Sequence, residues 1–264
     1  MSARSSTRID RVGRRTVLAT LGAFALGACG KSQASSQEIT LAAAASLRTV
    51  MPDIVAAFGA KSPHVKVSVT YGASGDLRKQ VEGGAPIDGV LFASAKPVDD
   101  LITKGLVDAA SRAVIAKNRL VLIGPKAALP LTFQTLNQIP DGEKLAIGDP
   151  GPVPAGQYAK EALVSLGEWD ALQSKLVLGG DVGAVLQYAK RGEVAAAIVY
   201  ETEAAGVSDI VVLDRASGDW APTPEVVVGL VKDASGAPVA QEFLRYLTTP
   251  TAQSILAEHG FLPP

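Results

Sequence analysis

From Glu38 onward, short β-type runs alternate with segments whose apolar residues recur every three or four positions. That alternation predicts βαβ units and mainly parallel sheets flanked by helices. Residues 39–44 read as a first strand, leading to Ser46 and a helix that turns Leu47, Met51, Ile54, Val55 and Phe58 to a core. Ser46 is placed to cap that helix. The device repeats: residues 65–69 run as a strand towards Tyr71, and Gly72-Ala73-Ser74-Gly75 turns into a helix carrying Leu77 and Val81, with Ser74 as the second capping serine. After Gly84-Ala85-Pro86, a strand is expected over 90–95, delayed by Gly89, and then a helix over 97–104 closed by Gly105. Further strands are expected at 120–123, 145–147, 175–178, 195–200 and 225–231. A short helix lies near Leu136, another carries Val185, Leu186 and Tyr188 behind a capping Asp181, and two helices over 239–247 and 251–259 close the chain.

The stretch GDPGPVPAGQYAKEAL, residues 148–163, breaks this regularity. Pro150, Pro152 and Pro154 fix φ, remove donors and push Asp149, Gly151 and Val153 towards extended conformations, so the loop is stiff. Ala155 and Gly156 follow at the first turn of a helix, where N–H groups have no intrahelical acceptor and small side chains leave them approachable. Such a turn suits an anion. Taken alone, the stretch reads equally well as a rigid connector.

Composition changes the picture at the N-terminus. Arg4, Arg8, Arg11, Arg14 and Arg15 precede an apolar run over 16–28 that is short for a membrane span and fits an export signal. Arg14-Arg15 followed by Thr16-Val17-Leu18 resembles a twin-arginine signal, although an ordinary secretory signal looks the same. Leu26-Gly27-Ala28-Cys29 resembles a bacterial lipobox, in which cleavage leaves a lipid-modified Cys29. As the single cysteine it excludes an intrachain disulfide. Residues 29–37 then read as a flexible tether. Without residues 1–28 the chain has 20 basic residues against 25 acidic ones, a net −5, so overall charge cannot attract an anion. With aromatic residues at 5% and no basic stripe, nucleic acid is not an expected partner. His64 and His259 stand apart from each other and from the serine turns, and read as surface or packing residues.

AAASL ending at Leu47, the serine turn at Ser74, DP…VPAG.YAKEAL, the Asp181-Val182 helix start and Ile198-Val199-Tyr200 together resemble, as an ordered set, the ModA-type molybdate-binding family, soluble receptors of bacterial molybdate ABC transporters. The likeness spans roughly 38–262. Pro86-Ile87-Asp88 keeps the family's order, but Gly89 intervenes before the strand. The resemblance implies an α/β, two-domain periplasmic-binding-protein fold of type II with the ligand in the interdomain cleft. One domain would comprise 38–117 and 222–264, and the other, 118–221, would be inserted. It also implies ligand contacts from Ser46, Ser74, the N–H groups of Ala155 and Val182, and the Tyr200 hydroxyl, although Tyr200 could instead be an interface wedge. No lysine or arginine is in that set. A ring of neutral donors suits a fully deprotonated tetrahedral dianion and disfavours a protonated one. The remaining implications are a bound molybdate or tungstate and no cofactor, a permease and ATPase as partners, an exported, lipid-anchored monomer, and no enzymatic activity. Two other readings stay open: a receptor for sulfate, phosphate or a small organic anion on the same fold, and an exported serine hydrolase using Ser74, for which neither histidine is placed.

Overall fold

The computed structural model describes residues 37–264. The signal over 1–28, Cys29 and most of the tether lie outside the described residues. Ten strands form two five-stranded sheets. The first, in the order β2-β1-β3-β10-β4, is built from β1 (Gln37–Ala44), β2 (Val65–Gly72), β3 (Gly89–Phe92), β4 (Ala113–Lys117) and β10 (Glu225–Leu230). The second, in the order β7-β6-β8-β5-β9, takes β5 (Leu120–Pro125), β6 (Leu145–Gly148), β7 (Leu176–Gly179), β8 (Ala196–Tyr200) and β9 (Ile210–Arg215). The two orders are the same pattern written twice. In each sheet a single strand is reversed: β10 is antiparallel to β3 and β4, and β5 is antiparallel to β8 and β9. Each reversed strand is the first that the chain enters after leaving the other sheet.

The nine α-helices among the described residues are α1 (Met51–Lys61), α2 (Ser74–Glu82), α3 (Ala95–Thr103), α4 (Pro154–Ser165), α5 (Trp169–Leu172), α6 (Val182–Lys190), α7 (Glu201–Ala204), α8 (Ala237–Tyr246) and α9 (Pro250–Glu258). None is long and apolar enough to cross a membrane. Both faces of the first sheet are covered. Ile39, Leu41 and Ala43 of β1 pack in one cluster with residues of α1, α8 and α9, whereas Ala42 joins Leu77 of α2 and Val98 and Leu101 of α3. Burial on both faces explains why β1 reads as a nearly continuous apolar run.

Two local expectations are corrected. Ser46 does not cap an α-helix. Residues Ala45–Leu47 form a 3-10 turn, and α1 begins only at Met51 because Pro52 is tolerated only in a helix's first turn. The strand after Asp88 is not delayed by Gly89 but starts on it, Gly89 pairing with Leu41 and Leu230 where a Cβ would lie 3.1 Å from Leu41 Cδ2. Asp88 fixes this corner, its carboxylate accepting from Thr40 N at 2.7 Å and Gly236 N at 2.9 Å.

The chain passes from the first sheet to the second between Lys117 and Leu120, and returns between Arg215 and Glu225. The crossings are tied together: Asn118 N donates to Pro224 O at 2.8 Å, and the buried Asn118 side chain donates to Thr202 Oγ1 at 2.9 Å while its oxygen accepts from Arg119 N.

Candidate functional site

The carboxyl ends of β1, β2, β3, β6, β7 and β8 lead into the turns that start the following helices. All six meet around one cavity of about 10 Å³, lined by Ala44–Ser46 at the end of β1, Gly72–Ser74 at the end of β2, Ala93 after β3, Val153–Ala155 after β6, Asp181–Val182 after β7, and Tyr200, the last residue of β8. All five residues expected to touch a ligand therefore come together. They are also sealed: Ser74 is 0%, Ala155 1%, Tyr200 2%, Ser46 3% and Val182 3% exposed. No lysine or arginine is among the lining residues.

Each contributes a donor for a local reason. Ser74 is the first residue of α2 and not its cap, which is Ala73 with extended backbone and no capping hydrogen bond. Its hydroxyl accepts from Ala93 N at 3.2 Å, which leaves its proton available to the cavity. Ala155 lies in the first turn of α4 behind Pro154, and Val182 is the first residue of α6. Their N–H groups are first-turn donors of the kind that lack an intrahelical acceptor. Asp181 caps α6 as expected, accepting from Ala184 N at 2.8 Å. Gly156 has a different task from the one expected. A Cβ on it would lie 2.0 Å from Gly148 O, so its smallness seats α4 on β6 and not a ligand on α4. The loop before α4 closes on itself as a turn, with Val153 N donating to Asp149 O and Gly151 N to Asp149 Oδ1, both at 2.9 Å.

Tyr200 packs as the expected wedge and also lines the cavity. Its ring belongs to the core of the second sheet, while its hydroxyl donates across the cleft to Ala93 O at 3.4 Å. That bond is long, so a stronger acceptor in the cavity can compete for it. Burial, with lesser effects from Tyr158 and Glu203, pushes its ionisation well above the usual phenol range, so it stays a neutral donor. Burial likewise pushes the neighbouring Tyr158 up to about 12. Glu203, one turn beyond Tyr200 and half-buried, is pushed up to about 7, first by burial and then by the charge of Asp181, with Arg48 opposing. Sequence reasoning misses two acceptors in the lining, the Asp181 carboxylate and the Ala93 carbonyl, and each already receives a hydrogen bond. Ala93 carries no side-chain signal because its main chain alone does the work. Among the described residues no group of three or more His, Cys, Asp and Glu is placed to hold a metal ion.

A ring of neutral donors at helix starts, closed over a small cavity, is chemistry for holding an anion, and residues 39–262 match the model of the bacterial extracellular solute-binding proteins. The chain belongs to that family. It is 35% identical to the molybdate-binding protein ModA of Escherichia coli, over 90% of this chain and 94% of that one. It is 33% identical to YvgL of Bacillus subtilis, named as an ABC transporter substrate-binding lipoprotein, over 92% and 96%. In structure it resembles the periplasmic molybdate-binding protein of Azotobacter vinelandii, with a TM-score of 0.77 at 21% identity, covering 86% of this chain and 99% of that one. The expected α/β periplasmic-binding fold of type II is thus the fold observed, and the family acts outside the cytoplasm in solute capture.

Proposed function

We propose that this solute-binding protein captures molybdate, with tungstate as an alternative ligand, and delivers it to an ABC permease and its ATPase. The observation that carries the reading is the cavity itself: Ser46, Ser74, Ala155, Val182 and Tyr200 converge on it, and no lysine or arginine lines it. A fully deprotonated tetrahedral dianion offers acceptor oxygens to every donor of the ring. Discrimination from sulfate then rests on size. The identity of 35% with a molybdate-binding protein over nearly the whole chain supports the same ligand. No cofactor takes part, and the absence of a histidine from the lining gives Ser74 no base, which favours a receptor over a hydrolase. The lipobox at Cys29 and the B. subtilis relative's name support a lipid anchor on the outer face of the cell membrane.

Hydrogen bonds to a charged ligand contribute roughly 1.5–3 kcal/mol each. Ser46→Ala or Ser74→Ala is therefore expected to weaken molybdate binding by about tenfold to a hundredfold, measured by intrinsic tryptophan fluorescence during titration. Unchanged affinity in both variants would remove these serines from the site.

A further inference from the structure

A ligand held among residues this deeply buried cannot enter without the two sheet-bearing halves parting, and the tied crossings at Asn118 and Pro224 supply the axis. What holds the halves together on the cleft side is therefore part of binding. Among the described residues, two hydrogen bonds span the cleft beside the cavity. One is the long bond from Tyr200 to Ala93. The other joins main chain to main chain: Gly75 N donates to Pro152 O at 2.9 Å. Gly75 is the residue after Ser74, in the first turn of α2, where an N–H would ordinarily be free for an anion. Here it is spent on the opposite half. Pro152 sits at the crest of the turn between β6 and α4, one residue before the cavity-lining Val153–Ala155.

The fit at this contact is closer than any other side chain would permit. A Cβ on Gly75 would lie 2.8 Å from both Cα and O of Pro152 and 3.2 Å from its carbonyl carbon, and these are its three nearest neighbours. The obstacle is main chain of a turn braced by its own hydrogen bonds and by Gln157 Nε2 donating to Gly151 O at 3.0 Å, so it cannot swing aside. It also belongs wholly to the other half. Gly75 itself needs no left-handed backbone, since positive φ occurs at other glycines. Alanine at position 75 is thus compatible with α2 in the parted molecule and incompatible with the closed one.

We propose that the Gly75 N–H and the Pro152 carbonyl form a closure latch, and that Gly75 is a positioning residue which sets how long the ligand stays bound. Ser74 and Gly75 divide the start of α2 between them, the first facing the ligand and the second fastening the cover. The ligand reading is that of the preceding subsection; the latch rests on it only in needing a ligand that closes the cleft. Raising the free energy of the closed state lowers its population, and apparent affinity falls with that population.

The experiment compares the signal-free wild type with Gly75→Ala and with Gly59→Ala. Gly59 is a helical glycine of α1 where an added Cβ would meet nothing within 4 Å, and it serves as the control for the substitution itself. Each protein is first screened by thermal shift with molybdate, tungstate, sulfate and phosphate. Dissociation of the strongest binder is then timed by stopped-flow displacement, with small-angle scattering recorded with and without ligand. For Gly75→Ala we expect a ligand-free melting temperature at or above wild type, dissociation faster by tenfold or more, association changed less than threefold, and incomplete compaction at saturation. Gly59→Ala should match wild type throughout. Binding by wild type with unchanged dissociation and compaction in Gly75→Ala overturns the latch and leaves the ligand reading intact. A wild type that responds to none of the four anions overturns both. If Gly75→Ala fails to fold without ligand, its incompatibility is not confined to the closed state, and the latch is rejected.

Discussion

At the scale of single residues, the cavity shows how neutral groups are kept both neutral and available. Ser74 is held by accepting from Ala93 N, which leaves its proton to give, and Tyr200 is held protonated by burial. Glu203 is the exception. Its proton is lost near neutral pH, next to Asp181, in a region meant for an anion. Its ionisation in the fold is raised above that of an unfolded glutamate, so its contribution to stability is full below about pH 4.5 and is lost as the pH rises through about 7. Glu203→Gln should therefore raise the melting temperature at pH 8, by about 2–4 °C for an effect of order 1 kcal/mol after solvent screening, and change it little at pH 5. Calorimetric scans at both values check this; an equal shift at both would exclude titration of Glu203 as the cause. Side-chain donors are legible in the sequence because serine and tyrosine advertise hydroxyls. Ala93 is not, because any residue there offers the same N–H and C=O.

At the scale of elements, the helix starts bring the donors to the cavity. Three of the expected contacts sit in first turns, those of α2, α4 and α6. The two serines look like caps in the sequence because serine before an apolar-periodic segment usually caps it. Ser46 departs from that rule because Pro52 moves the start of α1, and Ser74 because Ala73 takes the cap position without a side-chain bond. Asp181 obeys it, its carboxylate three residues before the N–H that it caps. Asp181→Ala should cost about 1 kcal/mol of stability by urea unfolding, while Asp181→Asn keeps the cap and loses little. Because Asn also removes a negative charge from the cavity wall, it should strengthen anion binding; weaker binding in the Asn variant would show that the carboxylate helps to hold the ligand.

The whole molecule repeats one five-strand plan twice and joins the copies through two adjacent crossings. Most strands are legible in the sequence because both faces of the sheets are buried and the runs are apolar. The two that are not, β4 and β9, are the outer strands at the same end of each order, and each is only partly buried and includes charged residues such as Lys117, Asp214 and Arg215. Edge position alone does not hide a strand, since β2 and β7, the outer strands at the opposite ends, are expected from the sequence; β4 and β9 are apolar for only four residues before turning charged. Asn118 marks no more than a point of crossing in the sequence, yet its side chain bonds Thr202 and the main chain of Arg119. Asn118→Ala should destabilise the protein by about 1–3 kcal/mol in equilibrium unfolding by leaving buried partners unpaired. A loss much smaller than this would mean that Thr202 finds another partner.

Calorimetric titration of the ligand-stripped, signal-free protein with molybdate, repeated with sulfate at the same neutral pH, decides which oxyanion the cavity takes. A cavity of neutral donors that takes molybdate should give submicromolar molybdate binding, equal to about −8 kcal/mol or more favourable, and no detectable heat with sulfate. Tighter binding of sulfate, or silence with molybdate, would contradict the account.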